Sequence, residues 1–488
     1  MVSGAGGAAG AGAAARAGAA AGAGAADGTG AGAGAGAGVR VPGNDWSVLD
    51  GVRAEHPPLV SVVVVHYEQP GDLARTLGAL ARQTHPAELL EVIVVDDGSA
   101  TAPVVPPGVQ LIRLPDRGFR AATARNRGAA AARGSVLCFL DADTAPEPSY
   151  VAELTRLPAV RDDAVTVGRR RHADFGDAPA SPDAAGIDAA GAAAAAPVEV
   201  AGPLAELREP AWLRDAYARS RDLLEADQRS YRYVISSVLA CSSAFFAATG
   251  GFDESFDEYG GEDWEWAHRA FTRGAVLAHV PSAVAWHNGP DVSGRSDDPD
   301  ELRRRMNRET LLLLNRIGVP GSVGRGLRSA SPDIVVTLPP GTPAATAVCA
   351  DLLLEALPAA RLVLDDALAA LFPGDDRMQG RTSPATSRAD ARVTVTLDSL
   401  VTVPRADRAA FCAALARATD DVGAGELGWV ELHDPATALT VTVAAQRAEH
   451  RCERRPDAHE FTVERRSARL RALPPEPELA AHLGGWAD

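Results

Sequence analysis

The sequence has no lysine. All 48 of its basic residues are arginine, set against 64 acids for a formal net charge of −16. That balance excludes a dedicated nucleic-acid binder, which presents a basic face, but leaves room for a local basic pocket for phosphates. Cysteine is scarce. Cys138, Cys241, Cys349, Cys412 and Cys452 are odd in number, widely spaced and without a CxxC pair. No structural zinc or disulfide framework is expected, and the usage is that of a reduced, cytoplasmic protein. No apolar run reaches the roughly 18 residues of a membrane span. The N-terminus contains no Leu, Ile or Phe and lacks the basic start and compact apolar region of a signal peptide. The expectation is a protein without a membrane span, with peripheral contact at the inner membrane face left open.

What is present is enough apolar material for two or three domains: 46% of 488 residues are hydrophobic. Residues 1–45 are Ala/Gly-rich, with little to bury, and are expected to be disordered. From Leu59 the pattern changes. "LVSVVVVHY" and "LLEVIVVDDGS" are β-branched runs typical of buried parallel strands. "GDLARTLGALARQ" between them has Leu73, Leu77 and Leu80 at helical spacing. "VQLIRLP", a helix over "FRAATARNRGAAAARG" and the strand "SVLCFLDAD" complete a β-α-β-β-α-β order. The prediction is an α/β, Rossmann-like doubly wound sheet over 58–318, with ligands at the carboxyl ends of its strands. Residues 174–203 read as a flexible insert. Residues 331–488 read as a second, smaller α/β domain that repeats the layout of 61–97, with Asp365-Asp366 where the first unit has Asp96-Asp97. It lacks the later acidic motifs, so it reads either as a degenerate copy or as an ordinary small α/β domain.

The candidate chemistry gathers at strand ends. Asp141 and Asp143 are alternate residues closing one strand and point the same way, as ligands for magnesium or manganese would; a solvated turn is the plainer reading. Asp96 and Asp97 end an earlier strand, where a carboxylate can accept from a base N–H or a ribose hydroxyl or serve the turn at Gly98. Tyr67 and Glu68 end the first strand on the same sheet edge, and Tyr67 is placed to stack on a base. Arg117, Arg120 and Arg125 offer cations for a diphosphate, with Arg120 and Arg127 equally readable as a solvated helix face. In "YGGEDWEWAHRAF", Gly260 and Gly261 permit positive φ, and Glu262 and Asp263 open a helix. Trp264 and Trp266 give those acids an apolar setting, which raises a carboxylate toward the range useful for a base. His287 ends a later strand and is a candidate third metal ligand.

Taken in order, "SVVVVHYEQPGDLARTLGAL", "VIVVDDGS", "DRGFRAATARNRGAAAARG", "CFLDADTAPEP" and "GGFDESFDEYGGEDWEWAHRAFTRGA" resemble the family-2 glycosyltransferases of the GT-A fold. The last motif is similar to that of the chondroitin-polymerase and galactosyltransferase-type members. The resemblance covers roughly residues 59–290. It implies a nucleotide-sugar donor, usually a UDP-sugar, a sugar or glycoconjugate acceptor, and inversion at the anomeric carbon. By the same resemblance Asp96 and Asp97 contact the nucleoside, with Tyr67, Glu68, Arg117 and Arg125 on the donor. Asp141, Asp143 and His287 hold Mn2+ or Mg2+, Asp263 is the general base, and Glu262 positions the acceptor. Thr144 and Ala145 after the Asp-Ala-Asp motif depart from the family pattern harmlessly. The Ala-rich insert hides acceptor specificity. The Ala-, Arg- and Gly-rich composition fits a high-GC bacterium and a role in polysaccharide or glycoconjugate biosynthesis. An inactive, transferase-like sugar- or nucleotide-binding protein is the alternative. A nucleotidyltransferase is disfavoured, because "HYEQPGD" supplies no Gly-rich basic loop after the first strand.

Overall fold

The computed structural model describes residues 39–176, 196–257, 260–290, 298–324, 327–383 and 391–484. Most of the tail expected to be disordered (1–38) and most of the expected insert (177–195) lie outside the described residues. Within them, two sheets share one compact unit.

The first sheet contains β1 (Val60–His66), β2 (Leu90–Asp96), β3 (Gln110–Arg113), β4 (Val136–Asp141), β5 (Thr144–Pro146), β6 (Ala164–Ala173), β7 (Glu206–Leu207), β8 (Val238–Ser242) and β9 (Val276–Asn288). Their order is β3-β2-β1-β4-β8-β6-β9-β5, with β7 beside β6. β1 runs parallel to β2 and β4, and β2 to β3. This is the doubly wound core expected from the β-branched runs. Val60, Val62, Val63 and Val64 are all fully buried, because helices cover both faces. Pro70–Leu80 buries Leu73, Leu77 and Leu80. Ala121–Ala131 comes close through small residues: a Cβ on Gly128 would lie 2.2 Å from Val63 Cγ1. Beyond β4 the sheet turns mixed, with β8 antiparallel to β4 and β6, and β6 parallel to β9.

The second sheet uses β10 (Ile334–Thr337), β11 (Arg361–Leu364), β12 (Met378–Gly380), β13 (Val393–Leu397), β15 (Leu427–His433), β16 (Thr440–Ala445) and β17 (Thr462–Ser467); β14 (Val401–Thr402) pairs with β18 (Arg471–Ala472) apart from it. Its order is β12-β11-β10-β13-β16-β15-β17. β10 is parallel to β11 and β13, and β11 to β12. β16 is antiparallel to β13 and β15, and β15 is parallel to β17. Strand for strand, this repeats the order and directions of β3-β2-β1-β4-β8-β6-β9. The repeat suspected from one strand-helix-strand segment extends across the whole sheet.

The boundaries of two expected irregular segments need correction. At the end of the 1–45 tail, Val41 and Asn44 are buried. Asn44 Nδ2 donates to the carbonyls of Leu223 (2.7 Å) and Leu277 (2.8 Å), so residues 39–45 are packed, held by side chains that the preceding Ala/Gly repeat lacks. At the end of the 174–203 insert, Val198–Leu204 is a helix. Its Gly202 lies so close to Trp286 that a Cβ would sit 2.5 Å from the indole ring.

A buried charge network joins the sheets. Arg161 and Asp163, at the start of β6, are fully buried and 2.5 Å apart. Arg161 also bonds Glu460 at 2.6 Å, and Glu460 bonds Arg451 of the helix Gln446–Arg454. Arg451 donates in turn to the carbonyls of Val41 (2.6 Å) and Gly43. Asp163 is held well below the usual carboxylate range: burial opposes this, but Arg161 and its neighbours overcome it. No helix among the described residues is long and apolar enough to cross a membrane.

Candidate active site

The carboxyl ends of β1, β2 and β4 open on a cavity of about 1010 Å³. The register puts His66 level with Asp96 and Val65 level with Asp141, so the acids of two strands reach one edge. They do not all face the same way.

Asp97 lines the cavity. It accepts from the Arg120 backbone N–H at 2.8 Å and from the Arg120 guanidinium at 3.2 Å, and burial raises its pKa. Asp96 does not reach the cavity. It is fully buried and bonds His66 Nδ1 (3.0 Å), Ser99 Oγ (2.5 Å) and Arg113 Nε (2.9 Å). Burial alone would raise its pKa, but these partners, Ser99 first, hold it below the ordinary value. Its geometry is that of a loop anchor. Tyr67 is 48% exposed at the cavity rim. Glu68 also lines the rim, and its Oε1 accepts from Ala100 N–H at 2.6 Å, tying the β1 loop to the β2 loop. Arg117 and Arg127 are exposed and outside the lining.

Arg125 sits at the centre. Buried on the helix Ala121–Ala131, it donates to Asp141 Oδ1 and Glu262 Oε1, each at 2.8 Å. One guanidinium thus links the end of β4 to the first turn of the helix Glu262–Thr272. Asp143 turns elsewhere, with its Oδ2 3.3 Å from His287 Nε2. His287 Nδ1 lies 3.2 Å from the Gly289 carbonyl. Donation there leaves the Nε2 lone pair facing Asp143, the tautomer that suits a metal ligand. Among the described residues no group of three or more His, Cys, Asp or Glu is arranged to hold a metal. Asp143 and His287 form a two-donor set open to the cavity, which fits a cation whose remaining ligands come from a diphosphate. Asp141 is turned onto Arg125.

The turn before the helix Glu262–Thr272 needs both glycines. Gly260 and Gly261 have φ of 101° and 92°. A Cβ on Gly261 would lie 2.9 Å from the Phe256 ring, and one on Gly260 2.9 Å from the Glu309 carboxyl. Trp266 anchors the helix in the core, its ring 5.6 Å from Phe246 and 5.5 Å from Phe252. Trp264 lines the cavity beside Asp263. Asp263 accepts from Ser236 N–H (3.3 Å) and Trp264 N–H (2.8 Å). Burial first, and Glu262 second, push its pKa up to about 7. A carboxylate so placed can take a proton near neutral pH.

This order of strand-end acids and helix-opening acids is the point at which relatives decide. Residues 61–185 match the family described as Glycosyl transferase family 2, and residues 223–286 match the N-terminal domain of galactosyltransferase. The chain carries a family 2 glycosyltransferase domain. Similar proteins include a hyaluronan synthase of Pasteurella multocida, 29% identical over 55% of this chain and 28% of that protein. A validoxylamine A glucosyltransferase of Streptomyces hygroscopicus subsp. jinggangensis is 32% identical over 53% of this chain and 60% of its own length. The chain therefore spans less than two thirds of either relative. Among solved structures, a mannosyltransferase from Pyrobaculum calidifontis in complex with GDP-Man and Mn2+ has a TM-score of 0.37 at 17% identity, over 55% of this chain and 67% of that one.

Sequence reasoning missed part of this cavity. Arg170 of β6 lines it, while its neighbours Arg169 and Arg171 pair with Glu209 and Glu206. Leu302, Arg305, Met306 and Glu309 of the helix Pro299–Arg316 line the opposite wall. Their i, i+3, i+4, i+7 spacing was visible, but its mixed polarity hid it.

Proposed function

We propose that the chain is an inverting, metal-dependent glycosyltransferase that moves a sugar from a nucleotide-sugar, a UDP-sugar by the family resemblance, to an acceptor hydroxyl. The observation that carries this is one cavity lined by both the Asp143–His287 pair and Asp263, whose pKa is pushed up to about 7. Asp263 takes the proton of the acceptor hydroxyl as the oxygen attacks the anomeric carbon from the face opposite the diphosphate. The new C–O bond forms as the bond to the diphosphate oxygen breaks, and the nucleoside diphosphate leaves. Asp143 and His287 would hold a divalent cation, which when bound supplies positive charge to the leaving group. Arg125 bonds both Asp141 and Glu262, so the donor and acceptor sides share one rigid frame. Asp97 and Tyr67 border the nucleoside side.

The test is thermal stability with UDP-, GDP- and dTDP-sugars, each with and without Mn2+, in the wild type and in Asp143→Ala. A bound donor raises the melting temperature by mass action. A Mn2+-dependent rise with one nucleotide class, lost in Asp143→Ala, is expected. A rise that persists without the metal and in the variant sinks the metal-dependent reading. No rise with any donor favours the inactive, binding-protein alternative.

A further inference from the structure

The helix Pro299–Arg316 is anchored at its C-terminal end. Leu313 is buried, Ile317 after it is fully buried, and Arg316 pairs with Asp253 at 3.1 Å. The rest of the helix is a rim over the cavity, and its inward stripe ends in Glu309. Glu309 packs on the Gly260–Gly261 turn, its Cγ 3.5 Å from where a Cβ on Gly261 would stand. The carboxylate lies beside Glu262 and Asp263, and among the described residues no hydrogen bond or ion pair reaches it. Arg305, one turn back and also in the lining, partly offsets its charge.

A second observation points to a ligand. Glu262 is 95% buried, its residual exposure being 5%. Its Oε1 is held by Arg125, but its Oε2 is buried without any partner, and the residue lines the same cavity. A buried carboxylate oxygen left unsatisfied is costly unless something supplies the missing donor. The wider field has the same sign. The cavity lining carries seven carboxylates against three guanidiniums, those of Arg125, Arg170 and Arg305. A divalent cation and the diphosphate diester of a nucleotide-sugar bring charges that cancel, so the acidic excess remains when the donor is loaded. Such a site rejects an anionic acceptor and favours a cationic one.

We propose that the acceptor is a hydroxyl compound carrying a protonated amine, and that Glu309, with the unpartnered oxygen of Glu262, receives that ammonium group. The inference rests on the transferase reading above and names its acceptor class. Glu309 is a specificity residue: it selects and orients the acceptor, and the proton transfer stays with Asp263.

The experiment is calorimetric titration of the full chain at pH 7. UDP with Mn2+ is titrated first; glucosamine, N-acetylglucosamine and glucose follow on the loaded protein. Glucosamine is expected to bind about tenfold tighter than the other two, as one charge-assisted hydrogen bond predicts. In Glu309→Gln the preference should fall to about twofold or less, while UDP affinity holds. Equal binding of the three sugars, no binding of glucosamine to the loaded protein, or a preference that survives in Glu309→Gln overturns the proposal. If UDP itself does not bind the wild type, the transferase reading fails and this one with it. That failure is read in the first titration, separately from the sugar arms.

Discussion

The two sheets share a strand order and differ in what stands at their carboxyl ends. Aligned on the Asp-Asp pair that follows β2 and β11, Leu397 takes the level of Asp141, and Ser399 that of Asp143. Asp365 is spent on capping its own helix, accepting from Ala367 N–H at 3.0 Å, and Asp366 accepts from Thr382 N–H at 3.2 Å. Among the described residues, apolar side chains pack into part of the space that would be a cleft. Leu400 is packed so tightly over Gly341 that a Cβ there would lie 2.1 Å from it. The C-terminal segment closes over the same edge through β14–β18 and the Leu473 N–H to Leu400 carbonyl bond of 3.0 Å. One topology thus supports an open acidic cleft and a plugged apolar edge. The fold supplies the edge, and a handful of side chains decide what happens there.

The sharpest way to break this comparison is to remove the matching side chain from each sheet. Asp143→Ala should lower transfer by about a thousandfold or more, since it removes one of the two donors proposed for the cation. Ser399→Ala, its counterpart by register, should leave transfer within about twofold. Comparable losses in an assay of nucleoside diphosphate release would mean that the second sheet works too.

A smaller effect separates the acids by pH. As the proposed base, Asp263 must be ionised to act, so transfer should rise through about pH 7 and then level off. Its pKa in the folded chain is above the ordinary 3.8, so the native state holds a proton that the unfolded chain has released. Stability contributed this way falls as pH rises from about 4 to about 7 and is gone above that. Asp263→Asn should therefore abolish transfer yet raise the melting temperature at pH 8 by about 2–4 °C. A flat rate profile across that range, or a destabilised variant, would count against the assignment.

The smallest effect concerns Arg117. It is exposed outside the cavity, so Arg117→Ala should change donor affinity by less than about 0.5 kcal/mol in a UDP titration. A clear loss would place the diphosphate farther along the β3 loop than the cleft suggests.

These contrasts mark how much could be read from the chain. Acids that close an apolar run were legible, because a run such as "VLCFLDAD" must end at a sheet edge and its ligands gather there. Which acid of a pair faces out was not. Asp96 and Asp97 differ by one step of strand alternation, and only His66, Ser99 and Arg113, arriving from elsewhere, settle that Asp96 turns in. Arg125 and Arg117 were equal candidates on sequence, since helix phase is fixed only by what packs beneath it. Of the two tryptophans thought to flank the acids, one serves the cavity and the other the core. Glu309 was hidden altogether, because a rim helix with few buried residues leaves only a faint period.

The network of Arg161, Asp163, Glu460 and Arg451 also bears on why a plugged sheet persists. Removing one member of a buried, bonded charge set costs about 3–5 kcal/mol, a large share of what holds most proteins folded. Deleting the second sheet would strip Glu460 and Arg451 from the base of β6 and from residues 41–43 together. A lineage could lose the chemistry of that sheet by single substitutions, yet could not discard the sheet without rebuilding the foot of its neighbour.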